Sequence, residues 1–469
     1  MRRTLPNAGP GNRPARLSSD SVLWLVLSAG LFVVAELTPT LLRMPLGADE
    51  ITYIAQTSAR ASGVLLPPVH GHGAGLLAAP ITLLTTSLAA LRIWMSLLSG
   101  LGLFLAMLAW RGLRPAWVLA VAGFILGSLS ITQLSGVQVY PDWWAALGVL
   151  AVTGLFLQAV TGRMSGRVVL TLLAAGAFLI VMMRPQNIAF VLAPTIGAAL
   201  IVPAWRKPRV LTAIGIGIVA GAAEWAAEAF ALYGGLDSRL HLATQEPPRF
   251  GLYFSLGYQF RVLNGPWYCL PGQCHSWTFP WLTVWWLALL GLVILGVFAA
   301  WRTAARASSA LAALSGLWVI ACYALLVPIA APRYLLPAYA LLAIPAADAI
   351  AWLAATVRWR PAGLLVACAF LLTGVVCQRV VLQAEVSSQD DGRALYMSTA
   401  DQLRVAGIHP PCVIKSPSAA YYLGCGAPWT GETVPEFLAR TPGGVSAWRR
   451  VDLRPMHQVG LPYFAWVRA

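Results

Sequence analysis

The sequence predicts an all-α polytopic membrane protein of about eleven helices with a small α/β segment at its C-terminal end. Three observations indicate this fold class. Of the 469 residues, 58% are hydrophobic and 10% are charged, whereas a soluble domain carries about 25% charged residues. The apolar residues are concentrated in segments close to the length of about 20 residues that spans a bilayer. The basic residues lie in every second connection between these segments.

The predicted spans are 24–42, 91–110, 116–134, 143–160, 168–183, 188–204, 210–232, 281–300, 310–329, 334–357 and 363–382. The first follows a basic stretch, as in a signal peptide, but no small-residue cleavage site comes after it, so we expect an uncleaved helix. The fifth and sixth are short and are separated by residues 184–187. They are predicted as two spans or as one broken or re-entrant element.

The basic connections predict the orientation, because cytoplasmic loops of membrane proteins retain Arg and Lys. This rule places residues 1–20 in the cytoplasm as a tail, and the membrane domain at 21–382 in the plasma membrane. The outer side then holds the loops 43–90 and 233–280, and 383–469 as a small extracytoplasmic domain. The net charge of +15 would suggest nucleic acid in a soluble protein. Here it marks the cytoplasmic side, and no nucleic-acid partner is predicted.

Four of the seven cysteines lie in the predicted outer regions, where the environment can be oxidising. Their positions make Cys269 with Cys274 and Cys412 with Cys425 candidate local disulfides. An alternative takes Cys269 and Cys274 with His275 as a partial zinc site, although it lacks a fourth ligand. The C-terminal segment has no Gly-rich loop after a strand, so no nucleotide-sugar site is predicted there.

Two adjacent acids, Asp49 and Glu50, stand before a helix-forming stretch in the first outer loop. The helix dipole stabilises carboxylates at that position, so a simple helix cap is one interpretation. The other is a catalytic carboxylate at the membrane surface, with Tyr53 and Gln56 beside it to bind sugar hydroxyls. Arg92, at the start of the second span, is predicted either to pair with one of the acids or to bind substrate.

Four stretches, in chain order and on the same predicted side, resemble those of one family. They are the Asp49–Glu50 loop leading to ALRIWMSLLSG, then VQVYPDWWAALGVLAV, VMMRPQNIAFVLAP and APRYLLPAYALLAIPAADAIA. The resemblance is to polyprenyl-phosphate-dependent glycosyltransferases of the GT-C fold, such as protein O-mannosyltransferases and lipid A aminoarabinose transferases, and it covers residues 20–380. It implies a GT-C-like membrane domain that takes a sugar from a polyprenyl phosphate.

The resemblance makes Asp49 the catalytic base, with Glu50 either sharing that role or holding the acceptor hydroxyl. Such a donor also needs cations for its phosphate. Arg184 and Arg333, with Tyr334, are the candidates, because a guanidinium forks onto phosphate oxygens. The alternative for either arginine is that it extends to the membrane interface without a substrate role.

Other polar residues on the outer side are candidates for substrate binding. Asp142 is predicted to orient the substrate or to cap the helix that follows it. Glu224 and Glu228 lie four apart on one face of the seventh span and are predicted to line the acceptor cleft. His70 and His72 stand where many relatives have Tyr and Pro, and acceptor binding is the role that they would take. Because no third ligand is assured, a polar loop is favoured over a metal site.

The sequence therefore predicts an inverting glycosyltransferase that moves a sugar from a polyprenyl phosphate to an extracytoplasmic glycan, lipid or protein. The many Ala and Arg residues are typical of proteins from high-GC genomes. By association with the cell envelopes of such organisms, mannose or an arabinofuranose-like sugar is favoured. No cofactor is assured, and a divalent cation is left open. One alternative is a transporter or flippase of lipid-linked sugars, which should carry its ionisable residues near the bilayer midplane. Another is an inactive scaffold of the same fold.

Overall fold

The structure is a computed structural model, and it describes residues 19–58, 66–245, 250–265, 268–272, 274, 279, 281–301, 303–356, 360–428, 433–439, 441, 443–452 and 464–469. Over these residues the chain is mainly helical and includes a three-stranded sheet. The predicted fold class, a helical membrane protein with a small α/β end, is confirmed.

The long first half is formed by α1 Ser19–Glu36, α2 Pro39–Leu42, α3 Ala48–Ala55, α4 Gly73–Thr82, α5 Leu88–Leu108, α6 Ala116–Ser128, α7 Ser130–Val137, α8 Pro141–Val160, α9 Arg167–Met183, α10 Ile188–Ile201 and α11 Pro208–Leu232. The second half contains α12 Leu236–Gln245, α13 Leu256–Val262, α14 Leu282–Ala300, α15 Arg306–Leu326, α16 Leu336–Thr356, α17 Arg360–Val405, β1 Cys412–Val413, α18 Pro417–Leu423, α19 Val434–Ala439, β2 Trp448–Asp452 and β3 Phe464–Arg468. Two short 3₁₀ turns, Pro185–Asn187 and Pro332–Leu335, precede α10 and α16.

Each of the eleven predicted spans falls on a helix, although fewer helices are long enough to cross a bilayer alone. Among the described residues, seven helices are long and apolar enough, namely α5, α8, α11, α14, α15, α16 with the turn before it, and α17. The pairs α6–α7 and α9–α10 meet the same requirement together, with bends of 80° and 120°, which gives up to nine spans. The described part of α1 is a shorter apolar helix.

The break between α9 and α10 is the turn predicted at residues 184–187. Arg184 precedes Pro185, and the proline ring disfavours the helical conformation of the residue before it. Arg184 accordingly has φ −147° and ψ 87°, and the axis turns by 120°. This turn holds the Arg184 side chain at the end of α9, next to the start of α8.

Helix α8 is the most deeply buried of the long helices and carries one acid of the site. In its most apolar window 94% of the residues are buried, and it packs against α5, α9 and α16. Pro141 occupies the first turn, where a missing N–H is harmless because the first amides of a helix have no intrahelical partner. Asp142 is therefore presented from a rigid, buried support.

The C-terminal segment is connected to the membrane domain through one continuous helix. Helix α17 runs for 46 residues, so the predicted domain boundary at residue 382 lies within it. Beyond α17 the antiparallel sheet has the order β1-β3-β2. Helix α18 packs against both α17 and α3, so the C-terminal segment also rests on the first-loop helix.

Both predicted disulfides are present, since Cys269 is bonded to Cys274 and Cys412 to Cys425. The alternative zinc site at Cys269 and Cys274 is wrong because the disulfide uses both thiols, and its third member, His275, lies outside the described residues. The backbone of Cys269 exchanges two hydrogen bonds with Ala330, of 2.8 and 3.1 Å. This contact fixes the 233–280 loop against the connection that leads to Arg333.

The close packing of α14 on α16 gives a prediction about stability. A Cβ at Gly296 would overlap the carbonyl oxygen of Pro345 in α16, whereas a Cβ at Gly291 in the same helix meets no atom within 4 Å. We expect Gly296→Ala to destabilise the protein by about 1–3 kcal/mol through overpacking. Thermal unfolding of the purified protein in detergent measures this, and Gly291→Ala is the matched control. Equal unfolding temperatures for the two variants would contradict the proposed packing.

Candidate active site

Four connections that were predicted to share the outer side meet at one end of the membrane domain. Asp49 comes from the first long loop, Asp142 from the start of α8, Arg184 from the α9–α10 break and Arg333 from the turn Pro332–Leu335. These four side chains form one connected set of ion pairs.

A separate ion pair lies at the opposite end of the helices. Arg114 Nε is 2.6 Å from Asp348 Oδ1, and Arg114 Nη1 donates to Ser308 Oγ at 2.7 Å. Helix α5 separates Arg114 from the loop that carries Asp49. Arg114, from one of the basic connections, therefore lies at the other end of α5 from the loop that carries Asp49.

Asp49 is the accessible carboxylate of the site. It lies in the first turn of α3, and 52% of its side chain is exposed. Arg333 Nη2 donates to its Oδ2 at 2.7 Å. Desolvation disfavours the ionised form, but the charge of Arg333, assisted by that of Arg184, outweighs this effect and lowers the pKa of Asp49. The carboxylate is therefore both ionised and reachable at neutral pH.

Asp142 lies between the two guanidinium groups. Arg184 Nη2 is 2.9 Å from its carboxylate, and Arg333 Nε is 3.9 Å from its Oδ2. Asp142 is almost completely buried, and the N-cap residue of α8 makes no side-chain capping hydrogen bond. Its contacts are those of a residue that orients the arginines.

Two tyrosine rings line the same arginines. The Tyr334 ring centre is 5.0 Å from the Arg184 guanidinium and 5.6 Å from that of Arg333. The ring of Tyr140 is 4.6 Å from Arg333. Aromatic rings within about 6 Å attract a guanidinium without neutralising its charge. Because both arginines are enclosed by this network, the interpretation that they merely extend to the interface does not apply.

Three buried polar atoms beside the network have no hydrogen-bond partner among the described residues. They are the Tyr53 hydroxyl oxygen, His70 Nδ1 and Arg184 Nε. The rings of Tyr53 and His70 meet edge to face with centres 5.4 Å apart. Burial, reinforced by the charges of Arg184 and Arg333, lowers the pKa of His70 to about 4, so its imidazole is neutral at pH 7. Buried polar atoms are nearly always satisfied, so these three suggest a ligand that supplies the partners.

Glu50, the neighbour of Asp49, is fully buried. Its carboxylate pairs with Arg92, which also donates to the carbonyl oxygens of Met44, Pro45 and Val137. It accepts from two backbone amides as well, and neither charged side chain has exposed surface. This burial corrects the prediction that Glu50 shares the catalytic role or holds an acceptor, because its carboxylate has no face open to a substrate. The interpretation that Arg92 pairs with one of the acids is confirmed.

A second polar cluster joins the first loop to α11. His72 Nδ1 lies 2.8 Å from Glu224 Oε1, and His72 Nε2 lies 3.4 Å from Glu228 Oε1. Arg239 Nη2 is 2.7 Å from Glu228 Oε2, and the guanidinium stacks 4.2 Å from the ring centre of Trp225. The contact with Glu224 raises the pKa of His72. The sequence offered no third ligand for a metal at the histidines, but the fold brings two carboxylates to His72.

Sequence reasoning missed two residues of these networks, Tyr140 and Arg239. The position of Tyr140, two residues before Asp142 in the YPD stretch, was a usable signal. Arg239 lies in α12, in a stretch of the predicted outer loop 233–280 without any recognisable motif, so its contact with Glu228 depends entirely on the tertiary fold.

No protein-family model and no curated protein sequence matches the chain. By structure it is similar to ArnT from Cupriavidus metallidurans bound to undecaprenyl phosphate, with a TM-score of 0.61 and 14% identity over 87% of this chain and 85% of that chain. ArnT in the apo state gives a TM-score of 0.59 at 14% identity, over 87% and 86%. AglB from Archaeoglobus fulgidus, in complex with an inhibitory peptide and a dolichol-phosphate, reaches a TM-score of 0.47 at 13% identity, over 82% and 58%. The likeness to ArnT confirms the GT-C-like fold.

Proposed function

We propose that the protein is a membrane glycosyltransferase that takes a sugar from a polyprenyl phosphate and transfers it to a hydroxyl acceptor. The observation that carries the proposal is an accessible, ionised Asp49 beside two arginines. Arg333 pairs with Asp49, and Arg184 and Arg333 both pair with Asp142. ArnT, whose fold is similar, has been solved with undecaprenyl phosphate, and we extend that ligand class to this chain as part of the proposal.

The proposed reaction is a direct displacement. Asp49 accepts the proton of the acceptor hydroxyl while the acceptor oxygen forms a bond to the anomeric carbon. The bond from that carbon to the phosphate oxygen breaks, and its electron pair leaves with the polyprenyl phosphate. A single displacement inverts the anomeric centre. The leaving phosphate needs no proton from a general acid, because two guanidinium groups stabilise the charge that develops on it.

Arg333 links the two halves of this mechanism. Arg333 is paired with Asp49 at 2.7 Å, which holds the carboxylate in place but weakens it as a base. A donor phosphate competes for the same guanidinium, so donor binding releases Asp49 for the acceptor proton. Asp142 keeps Arg184 and Arg333 beside each other throughout. The buried Tyr53 hydroxyl and His70 Nδ1, which lack partners among the described residues, are available to sugar or phosphate oxygens.

The proposal includes the sidedness predicted from the basic loops. The N-terminus is then cytoplasmic, and the site acts on the extracytoplasmic side upon a glycan, lipid or protein acceptor of the cell envelope. The sugar that we propose is mannose or an arabinofuranose-like pentose.

The direct test is transfer of label from defined donors. The full-length protein is reconstituted in vesicles with radiolabelled polyprenyl-phosphate mannose or arabinofuranose and with membrane acceptors. Label should move from the donor lipid into a product of different mobility. Movement of intact donor across the bilayer without any new product would instead support the transporter alternative.

Removing one phosphate-binding cation should weaken use of the donor. Loss of a hydrogen bond to a charged group costs about 1.5–3 kcal/mol, so Arg184→Gln is expected to lower kcat/KM for the donor by about 10–100-fold. Arg184→Lys should recover part of the loss by restoring the charge. Arg167→Gln, at the exposed opposite end of the same helix, is the matched control. Normal donor kinetics in Arg184→Gln, together with a lower unfolding temperature, would assign Arg184 only to holding Asp142.

A further inference from the structure

We propose that His72, Glu224 and Glu228 form a binding site for one divalent transition-metal ion, for which Zn²⁺ is the probe. The three residues each offer a ligand atom, and these atoms lie within 4.8 Å of one another. An imidazole with two carboxylates is a donor set that binds zinc in proteins. The site is separate from the chemistry proposed at Asp49.

The spacing of the ligand atoms fits an ion. His72 Nε2 and Glu228 Oε1 are 3.4 Å apart. Two ligand atoms, each about 2.0–2.1 Å from a tetrahedral zinc ion, are about 3.3 Å apart. Glu224 Oε1 is 2.8 Å from the other ring nitrogen, and the ligand atoms of all three residues lie within 4.8 Å of one another.

The hydrogen bonding at the cluster is incomplete. His72 Nδ1 and Glu228 Oε2 are buried and have no hydrogen-bond partner of acceptable geometry among the described residues, although Glu224 Oε1 and Arg239 Nη2 lie 2.8 and 2.7 Å from them. These side chains are therefore paired by charge but are not fixed by well-aligned hydrogen bonds, which leaves them able to reorient around an ion.

Arg239 acts as a positioning residue for Glu228. Its Nη2 lies 2.7 Å from Glu228 Oε2, which leaves Oε1 directed at His72. The same guanidinium donates to the backbone carbonyls of Pro68, Trp225 and His70, so its charge is shared among several acceptors. Partners of this kind orient the ligands of protein metal sites.

The cluster is also accessible to an ion from solution. The side chains of His72, Glu224 and Glu228 are 23%, 35% and 10% exposed, so an ion can enter without opening the helix bundle. Bound there, it would tie the start of α4 in the first loop to α11, in addition to the hydrogen bonds that Trp225 and Arg239 donate to the carbonyl oxygen of Pro68. The consequence is a cross-link that holds the first loop against the membrane domain.

The test is metal binding by the intact protein. The full chain in detergent is stripped with a chelator, dialysed against Zn²⁺ and analysed for bound metal and for affinity by calorimetry. We expect about one zinc per chain in the wild type and loss of that ion in His72→Ala and Glu228→Gln. Glu224→Gln is expected to weaken binding by about 10–100-fold. His241→Ala, which removes an exposed histidine of α12, should bind as the wild type does.

A second measurement on the wild type avoids dependence on the folding of the variants. Co²⁺ in place of Zn²⁺ should give intense visible absorption bands typical of a four-coordinate site with a nitrogen ligand. Wild-type binding no higher than that of His72→Ala, or absence of these bands, would overturn the proposal. The cluster would then be a protonated His72 paired with two carboxylates.

Discussion

Asp49→Asn is expected to lower the rate of sugar transfer by about 10²–10⁴-fold, the usual contribution of a positioned general base. The asparagine keeps the shape of the side chain but cannot accept the acceptor proton. The loss should appear in kcat, because the donor is bound by Arg184 and Arg333, which the substitution leaves in place. Initial rates with labelled donor, measured at saturating donor, test this.

The substitution should leave the fold intact, which separates the catalytic effect from a structural one. Asp49 is half exposed and its pair with the enclosed Arg333 is only partly buried, so the loss of this pair should cost less than the loss of a fully buried one. Arg333 also retains the neighbouring Asp142. Asp237→Asn, which changes an exposed acid in the first turn of the loop helix α12, is the matched control and should transfer at the wild-type rate. Unchanged transfer by Asp49→Asn would remove Asp49 from the mechanism.

The pKa of Asp49 sets the expected pH dependence of this step. The ion pair with Arg333 lowers that pKa below its usual value of 3.8, so the carboxylate stays ionised until the pH falls below this value. Any stability from the pair is likewise present above pH 3.8 and is lost only as the pH falls through the lowered pKa. Activity of the wild type should therefore not decline between pH 7 and pH 5 through protonation of Asp49.

Glu50→Gln is expected to destabilise the protein strongly, by about 3–5 kcal/mol, because it leaves the fully buried Arg92 without its counter-charge. Arg92 donates to the carbonyls of the segment before α3 and to that of Val137 at the end of α7. Loss of the pair should therefore loosen the support of Asp49 as well. Unfolding of the purified protein in detergent, followed against temperature, measures the effect.

The control is an acid of an exposed ion pair, Asp401→Asn, whose partner Arg404 is also exposed and whose loss should change stability by less than about 1 kcal/mol. Replacing both members of the buried pair, Glu50→Leu with Arg92→Met, should recover part of the stability lost in Glu50→Gln, because no unpaired charge is left. A fully stable Glu50→Gln that has lost transfer would instead assign Glu50 to catalysis.

The sequence predicts where the helices lie, but it does not predict which of Asp49 and Glu50 faces inward, and the reason is physical. The spans follow from local composition, because a bilayer requires an apolar stretch of fixed length. The partition of loops between two ends follows from their charge, which is why Asp49, Asp142, Arg184 and Arg333 could be expected on one side. Adjacent residues of a helix differ by about 100° in direction. The two acids therefore point in different directions, and the sequence could not tell which of them would face inward.

Contacts between distant parts of the chain could not be predicted from the sequence. His72 and Glu224 come from the first loop and the eleventh helix, and nothing in either stretch refers to the other. The predicted placement of Glu224 and Glu228 at the acceptor cleft followed from their position in the outer half of the seventh span, whereas their arrangement around His72 required the packing of α11. Arg239, which completes the cluster, carried no signal.

Helix α17 has a mechanical consequence. Its 46 residues at about 1.5 Å each extend about 69 Å, more than twice the hydrocarbon thickness of about 30 Å. It can therefore act as a stiff lever, with α18 near its far end and α3 beneath α18. A change in the tilt of α17 within the bilayer would therefore be transmitted through α18 to α3, the helix that carries Asp49. Bilayer thickness and lateral tension would then be mechanical inputs to the position of that carboxylate.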